Sequence, residues 1–479
     1  MTLIAYAAAF IPYLLLVRAH ITWRRALAIG LLARLALLPL DPLLSDDLWR
    51  YVWDGRVALS GVNPFAHAPD AAQLAALRDP YIWPRINHPD IPTIYPPAAQ
   101  LVFLLNAALG GAEHLLRALF IAIELGCLAI ASRHLPASWP TARREQALAL
   151  YYLNPLVIVE TAWSGHLDVI AFGAMTAAML VFEHASSAAR PARAAAIAGA
   201  ILGASIAAKL LSLVALPLWL LDPAHSKRAR AAAIAACLAT IALLYAPYLD
   251  AGGGLFKGFG TYAAKWRSND GPYRALVWVA ESSIERWATP DQRSAPDQRA
   301  IVRLDKLGPV AERVGFTREW RGRQVAATSF ASNQAAETTV KLAVALALAL
   351  LMLWCLLITR DPITSALLLL TALFWLAPTV HPWYVAWLVP LAALRRWPPA
   401  IAFSALVLIA YAAWWSTQHG GPWLVPTWLL LIEFGAVAAL TLASPSPSAA
   451  SPSPHDPRPS DGEPPQPDGR GHAADGDAP

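Results

Sequence analysis

Charge is scarce in this chain. Of its 479 residues only 14% are Asp, Glu, Lys or Arg, whereas 57% are hydrophobic and the mean hydropathy is +0.44. That balance excludes an ordinary soluble domain. Cysteine is scarcer still: Cys127, Cys237 and Cys355 all fall inside apolar runs, are odd in number and show no ligand spacing. Neither a disulfide framework nor a zinc site is supported, and the three read as packing or lipid-facing residues. The chain lacks GxGxxG, GxxxxGK[ST] and HExxH, so a nucleotide-sugar donor held on a soluble Rossmann domain is not expected. It has no fixed-period repeat. No basic segment precedes the first apolar run, so Met1 to Val17 reads as a retained span rather than a cleaved signal peptide. The net charge of +5 requires no nucleic acid, because Lys and Arg concentrate in short loops between apolar runs.

What the chain has is apolar segments. They fit spans near 3–17, 26–44, 115–132, 147–162, 168–184, 195–221, 231–249, 338–358, 363–379, 383–394, 399–416 and 424–442. The reading is an all-α polytopic membrane protein with roughly eleven to fourteen membrane helices. Residues 1–443 form the membrane domain; 444–479, rich in Pro, Ser, Gly and Asp, read as a disordered cytoplasmic tail. Arg18, Arg24 and Arg25, Arg133, Arg143 and Arg144, Arg190 and Arg193, Lys227, Arg228 and Arg230, and Arg395 and Arg396 mark the cytoplasmic loops. Two segments decide whether the alternation closes. Pro96 to Gly110 begins with two prolines and reads as entering the membrane without crossing, and 195–221 reads as two short helices breaking near Lys209. Four segments then gather on the outer side: 45–95, Ser164 to Asp168, the long loop 250–337, and His381. Within the long loop, Trp266, Trp278, Trp287 and Trp320 recur, and Arg299 to Arg323 suits an amphipathic surface helix.

The unusual polar residues lie in those segments. In SDDLWRYVWDGRVALSGVNPF (45–65), Ser45 and two carboxylates suit a helix N-terminus, and Gly61, Asn63 and Pro64 stop it. Asp47, Arg50, Tyr51 and Asp54 share one face with Leu48, Val52 and Leu59 roughly opposite, which describes a short interfacial helix resting on lipid. The bland alternative is that Asp46 and Asp47 only cap it. In the span around Pro155, Glu160 is an ionisable group within apolar surroundings, and Gly165, His166 and Asp168 make a tight turn into the next span, with Asp168 nearly as well read as a cap. His381 stands where a span ends, with Trp383 and Tyr384 behind it as faces for a sugar ring; Trp387 reads as an aromatic-belt anchor. The proline-rich loop adds Arg78, Arg85, His88 and Tyr95, with Arg85 and His88 able to hold an anion. Lys209 is either a phosphate ligand or a snorkelling side chain.

Taken in order, SDDLWRYVWDGRVALSGVNPF, WPRINHP with TIYPP, NPLVIVETAWSGHLDV and HPWYVAWLVP resemble the bacterial membrane glycosyltransferases of the GT-C class, closest to the polyprenol-phosphate-mannose-dependent mannosyltransferases. The resemblance covers most of residues 25–440. It implies a GT-C-like bundle whose periplasmic loops carry short interfacial helices. The implied activity is inverting transfer from a polyprenyl-phosphate sugar to a glycan or lipid acceptor, at the periplasmic face of the bacterial inner membrane. Mannose is the sugar it favours, although the residues themselves do not choose among mannose, glucose, galactose and arabinose. An acid of the first periplasmic loop is the implied base, which falls on Asp47 or Asp46, with Asp47 preferred. Arg50, Arg85, His88, Lys209 and His381 are then candidates for the donor phosphate. Tyr51, Asp54, Glu160, His166, Asp168, Trp383 and Tyr384 are candidates for the sugar or acceptor. A divalent cation, Mg or Mn, could bridge carboxylate and phosphate, as in part of this class, but no ligand set demands one. The rival reading is a transporter or flippase for a lipid-linked sugar, against which stand the absence of an inverted repeat and the gathering of polar residues at one face.

Overall fold

The computed structural model describes residues 2–287, 301–303, 318–320, 323–325 and 329–447. They form one unit, and it is helical apart from two short antiparallel ribbons, Ile301–Arg303 with Ser329–Ala331 and Arg318–Trp320 with Arg323–Val325. The surface helix expected across Arg299 to Arg323 is therefore replaced by strand at 301–303 and 318–320, and its middle, 304–317, lies outside the described residues. So does the tail from 448 onward.

Among the described residues, five helices are long and apolar enough to cross a membrane: Glu113–Arg133, Asp168–Ala185, Lys227–Ala263, Ala335–Thr359 and Pro398–Gln418. Shorter apolar helices accompany them, among them Leu3–Arg18, Pro191–Ile206, Pro362–Leu376 and Thr427–Ala443. Leu342, Leu346, Leu350, Leu353 and Leu357 follow one another at helical spacing and are all exposed. Such a stripe is stable in hydrocarbon and costly in water, so the chain is a multi-pass membrane protein. Cys237 and Cys355 are buried packing residues, and all three cysteines are free.

Breaks in the helices position the polar residues. Asn154 ends one helix and caps the next, accepting from the Leu156 N–H at 2.9 Å, so the run through Pro155 is two helices, Thr141–Tyr152 and Pro155–Ala162. The run expected to break near Lys209 does so: Pro191–Ile206 stops, Lys209 is extended, and a 3-10 turn, Leu210–Val214, leads into Ala215–Leu220. Pro97–Ala108 has 12 residues; at about 1.5 Å per residue it spans about 18 Å, well short of a ~30 Å hydrocarbon core.

The helix expected at Ser45 runs from Asp47 to Leu59, but it is not interfacial. Leu48, Trp49, Arg50, Tyr51, Val52, Trp53, Asp54, Gly55 and Val57 are all buried. Of the apolar side that periodicity assigns to lipid, Leu59 at the helix end is exposed, whereas Leu48 and Val52 are covered by protein, the helix packing chiefly on Pro97–Ala108. Contact there is so close that a Cβ on Gly55 would collide with the Phe103 carbonyl. Asp46 makes no side-chain cap bond; the Ser45 hydroxyl instead accepts from the Asp47 N–H at 3.2 Å.

Candidate active site

One large cavity, of about 1020 Å³, opens beside the start of the Asp47–Leu59 helix. Its wall includes Asp46, Asp47, Arg50, Tyr51, His88, Lys209, His381, Trp383 and Tyr384, which lie far apart in sequence. Much of the remainder is apolar, with Ile91, Pro92, Ile94, Leu210, Leu211 and Phe259.

The two carboxylates are held by an amide that the sequence did not single out. Asn87 Nδ2 donates to Asp46 Oδ1 at 3.0 Å and to Asp47 Oδ1 at 2.7 Å. Burial, and then the charge of Asp47, push the Asp46 carboxyl up to about 6. Among the described residues no group of three or more His, Cys, Asp or Glu is placed to hold a metal. The Asn87 N–H is bonded to one oxygen of each carboxylate.

The cations on this wall are paired. Arg50 is buried and donates from Nε to Asp54 Oδ1 at 2.9 Å, and from its terminal nitrogens to the His88 carbonyl at 3.2 Å and the Ile91 carbonyl at 2.8 Å. Thr93 donates to Asp54 Oδ2 at 2.5 Å. Arg50 and Asp54 thus clamp the proline-rich loop to the helix. Lys209 does not snorkel: its Nζ lies 2.7 Å from both oxygens of Asp168 and 4.5 Å from the centre of the Tyr384 ring. Asp168 is not a simple cap either, since it also accepts from Trp387 Nε1 at 2.7 Å. Trp387, expected in an aromatic belt, is fully buried.

His381 and His166 part company. His381 lines the cavity, stacked on Trp383 at 4.3 Å between ring centres. Burial, with help from the His166 and Lys209 charges, pushes its imidazole down to about 3, which favours the neutral ring with one N–H to donate. His166 stacks on Trp383 at 3.7 Å but is buried, as is Glu160, and neither lines the main cavity. Gly165, at φ +71°, makes the turn that carries His166.

Asp54, Glu160, His166 and Asp168, expected to meet the sugar or acceptor, therefore lie buried behind the wall and do not line the cavity. Arg85 also lies outside the cavity; it donates to the Tyr81 carbonyl at 2.5 Å and sits over the Tyr81 ring. Burial holds the His88 imidazole below its ordinary value. Residues not singled out as site candidates complete the wall: Tyr262, whose hydroxyl is 2.5 Å from that of Tyr384, with Trp266, Arg267, Trp414 and Trp423. The recurrence of Trp in the long loop was the one available signal, and it pointed at Trp266. Arg267 and Trp423 also line a neighbouring cavity of about 340 Å³.

Two half-buried acids on one amide, neutral and charged donors and aromatic faces beside an apolar wall suit an amphiphilic, anionic substrate carrying a sugar. Residues 1–225 match a mannosyltransferase family. The model matched there is described as alpha-(1->6)-mannopyranosyltransferase, N-terminal domain. The match bears out the mannosyltransferase resemblance over the stretch holding Asp46, Asp47, Asn87, Glu160, His166, Asp168 and Lys209, and it supports glycosyltransferase activity. No curated protein matches the chain. Two crystal structures of the Archaeoglobus fulgidus oligosaccharyltransferase, one apo and one in complex with Zn and sulfate, are similar at 12% and 14% identity. Their TM-scores are 0.36 and 0.33, covering 89% and 88% of this chain and 55% and 52% of theirs. This chain therefore spans about half the length of the oligosaccharyltransferase.

Proposed function

We propose that this protein is an inverting membrane glycosyltransferase. It moves a sugar, with mannose favoured, from a polyprenyl-phosphate donor to a hydroxyl of a glycan or lipid acceptor. The reading puts this cavity on the periplasmic side of a bacterial inner membrane, because the short Arg-rich loops of the sequence fall at the other ends of the helices. The observation that carries it is the shared cavity: two carboxylates on Asn87, a lysine, a histidine and aromatic faces meet in one space that is otherwise largely apolar.

Asp47 accepts the proton of the acceptor hydroxyl as its oxygen forms a bond to the anomeric carbon. The bond from that carbon to the phosphate oxygen breaks, its electron pair leaves with the phosphate, and attack from the face opposite inverts the centre. A phosphate is a good leaving group without protonation, so the site requires a base and donors rather than a second carboxylic acid. Lys209 and the neutral His381 N–H are the phosphate-side donors. Trp383 and Tyr384 offer the sugar a ring face, and Leu210, Leu211 and Phe259 offer the polyprenyl chain an apolar wall.

The test is turnover by the purified protein in detergent with a series of polyprenyl-phosphate sugars. Asp47→Asn is expected to fall by about a hundredfold or more with expression retained. Near-normal turnover in that variant removes Asp47 as base, and no transfer from any such donor removes the function.

A further inference from the structure

Behind the wall, Glu160 Oε1 accepts from the hydroxyls of Tyr6 at 3.0 Å and Tyr411 at 2.7 Å. Its other oxygen, Oε2, lies 2.9 Å from His166 Nδ1, at ion-pair distance though off hydrogen-bond alignment. On the far side of the same ring, Nε2 is 3.1 Å from the Ser45 hydroxyl and 3.9 Å from Asp47 Oδ2. Glu160 and His166 are 3% and 1% exposed, so neither can be screened by bulk water, and a buried carboxylate with only neutral phenol donors calls for a cation beside it.

We infer that Glu160 and His166 form a buried carboxylate–imidazolium pair whose positive ring sets the charge state of Asp47, making both of them positioning residues for the proposed base. This rests on the reading of Asp47 as base. Two acids side by side, Asp46 and Asp47, disfavour double ionisation, and one donated amide N–H offsets that only in part. An imidazolium within 4 Å of Asp47 tips the balance toward its carboxylate, which is the form able to take a proton. Glu160, 2.9 Å from the other ring nitrogen, is the counter-charge in this arrangement. Trp383, stacked between His166 and His381 at 3.7 Å and 4.3 Å, separates the charged ring from the neutral one that faces the cavity.

The other charges around this centre are accounted for. Asp47 acts on Asp46, on His88, and on the phenols of Tyr51, Tyr95, Tyr262, Tyr384 and Tyr411. His166 acts on Asp46 and His381. Lys209 is bound to Asp168, Arg50 to Asp54, and Arg117, whose side chain passes Gly165, donates to the Leu40 carbonyl. Among the described residues His166 is thus the cation that comes within 4 Å of the Asp47 carboxylate.

The experiment is the pH profile of kcat for purified protein between pH 5 and 9, with polyprenyl-phosphate mannose and an alkyl α-mannoside. In His166→Gln the acidic limb should move up by about one pH unit, since Asp47 then keeps its proton to higher pH beside Asp46, while the donor KM stays within about twofold. Glu160→Gln, which still accepts from both phenols, should move the limb the same way by less, and it decides the matter where His166→Gln does not fold. A plateau that falls with the limb unmoved in these variants overturns the inference and leaves a structural role. Asp47→Asn separates the two claims. If that variant is inactive while the limb stays in place, this inference alone fails; if it turns over normally, the reading of the base fails first.

Discussion

Lys209 Nζ stands 2.7 Å from both oxygens of Asp168, and Trp387 Nε1 holds one of those oxygens from behind at 2.7 Å. The pair joins the break after Pro191–Ile206 to the start of Asp168–Ala185, so a cation that would be costly in an apolar run is fixed at the cavity wall. Asp168 holds Lys209 aimed at the cavity wall.

If Lys209 meets the departing phosphate, Lys209→Met should lower kcat/KM for the donor by roughly a hundredfold, a loss of about 3 kcal/mol in transition-state stabilisation. Asp168→Asn should do less, because the ammonium remains but is held loosely, and its loss should fall on kcat more than on donor KM. Steady-state kinetics with varied donor check both. Equal kinetics for Lys209→Met and the wild type would remove Lys209 from the phosphate site.

Arg50 and Asp54 make a different forecast. Both are buried, and Arg50 also ties down the His88 and Ile91 carbonyls. Removing one partner strands the other charge, which costs about 3–5 kcal/mol in buried pairs. Arg50→Met should therefore unfold at clearly lower temperature in detergent and lose turnover through the loosened loop that carries Asn87. Unchanged thermal stability with lost turnover would instead return Arg50 to direct contact with substrate.

The helices were legible because apolar length and Pro or Gly punctuation are local properties; even the breaks at Pro155 and Lys209 could be read that way. The surroundings of a helix are not local. Asp47, Arg50, Tyr51 and Asp54 do share a face, but the spacing could not say that Leu48 and Val52 would meet protein instead of lipid. His166 and His381 both follow apolar runs next to aromatic residues, and only packing shows that one is sealed behind Trp383 and the other lines the cavity. Trp387 looked like an interfacial anchor because its distant partner, Asp168, is 219 positions away. Asn87 gave no signal at all: an amide in a proline-rich loop is unremarkable until two carboxylates converge on it.

Asp46 permits a test that needs no substrate. Its carboxyl is pushed up to about 6, by burial first and then by the charge of Asp47, from an ordinary value of 3.8. A carboxyl whose folded value is raised favours the folded state while protonated. Its contribution is complete below about pH 4 and is lost as pH rises through about 6. At pH 8 the ionised Asp46 therefore works against folding, by on the order of 1 kcal/mol once screening by the water that reaches this half-buried group is allowed for. Asp46→Asn removes that charge and keeps an oxygen to accept from Asn87. The variant should unfold at a higher temperature than the wild type at pH 8, the gap should narrow near pH 6, and the two should coincide near pH 4. Asp47→Asn, measured in parallel, relieves the same repulsion but also discards the carboxylate beside His166, so its gain at pH 8 should be smaller. A wild type more stable than Asp46→Asn at pH 8 would mean that the Asp46 charge is compensated in the folded protein, and that the two acids do not compete for one proton.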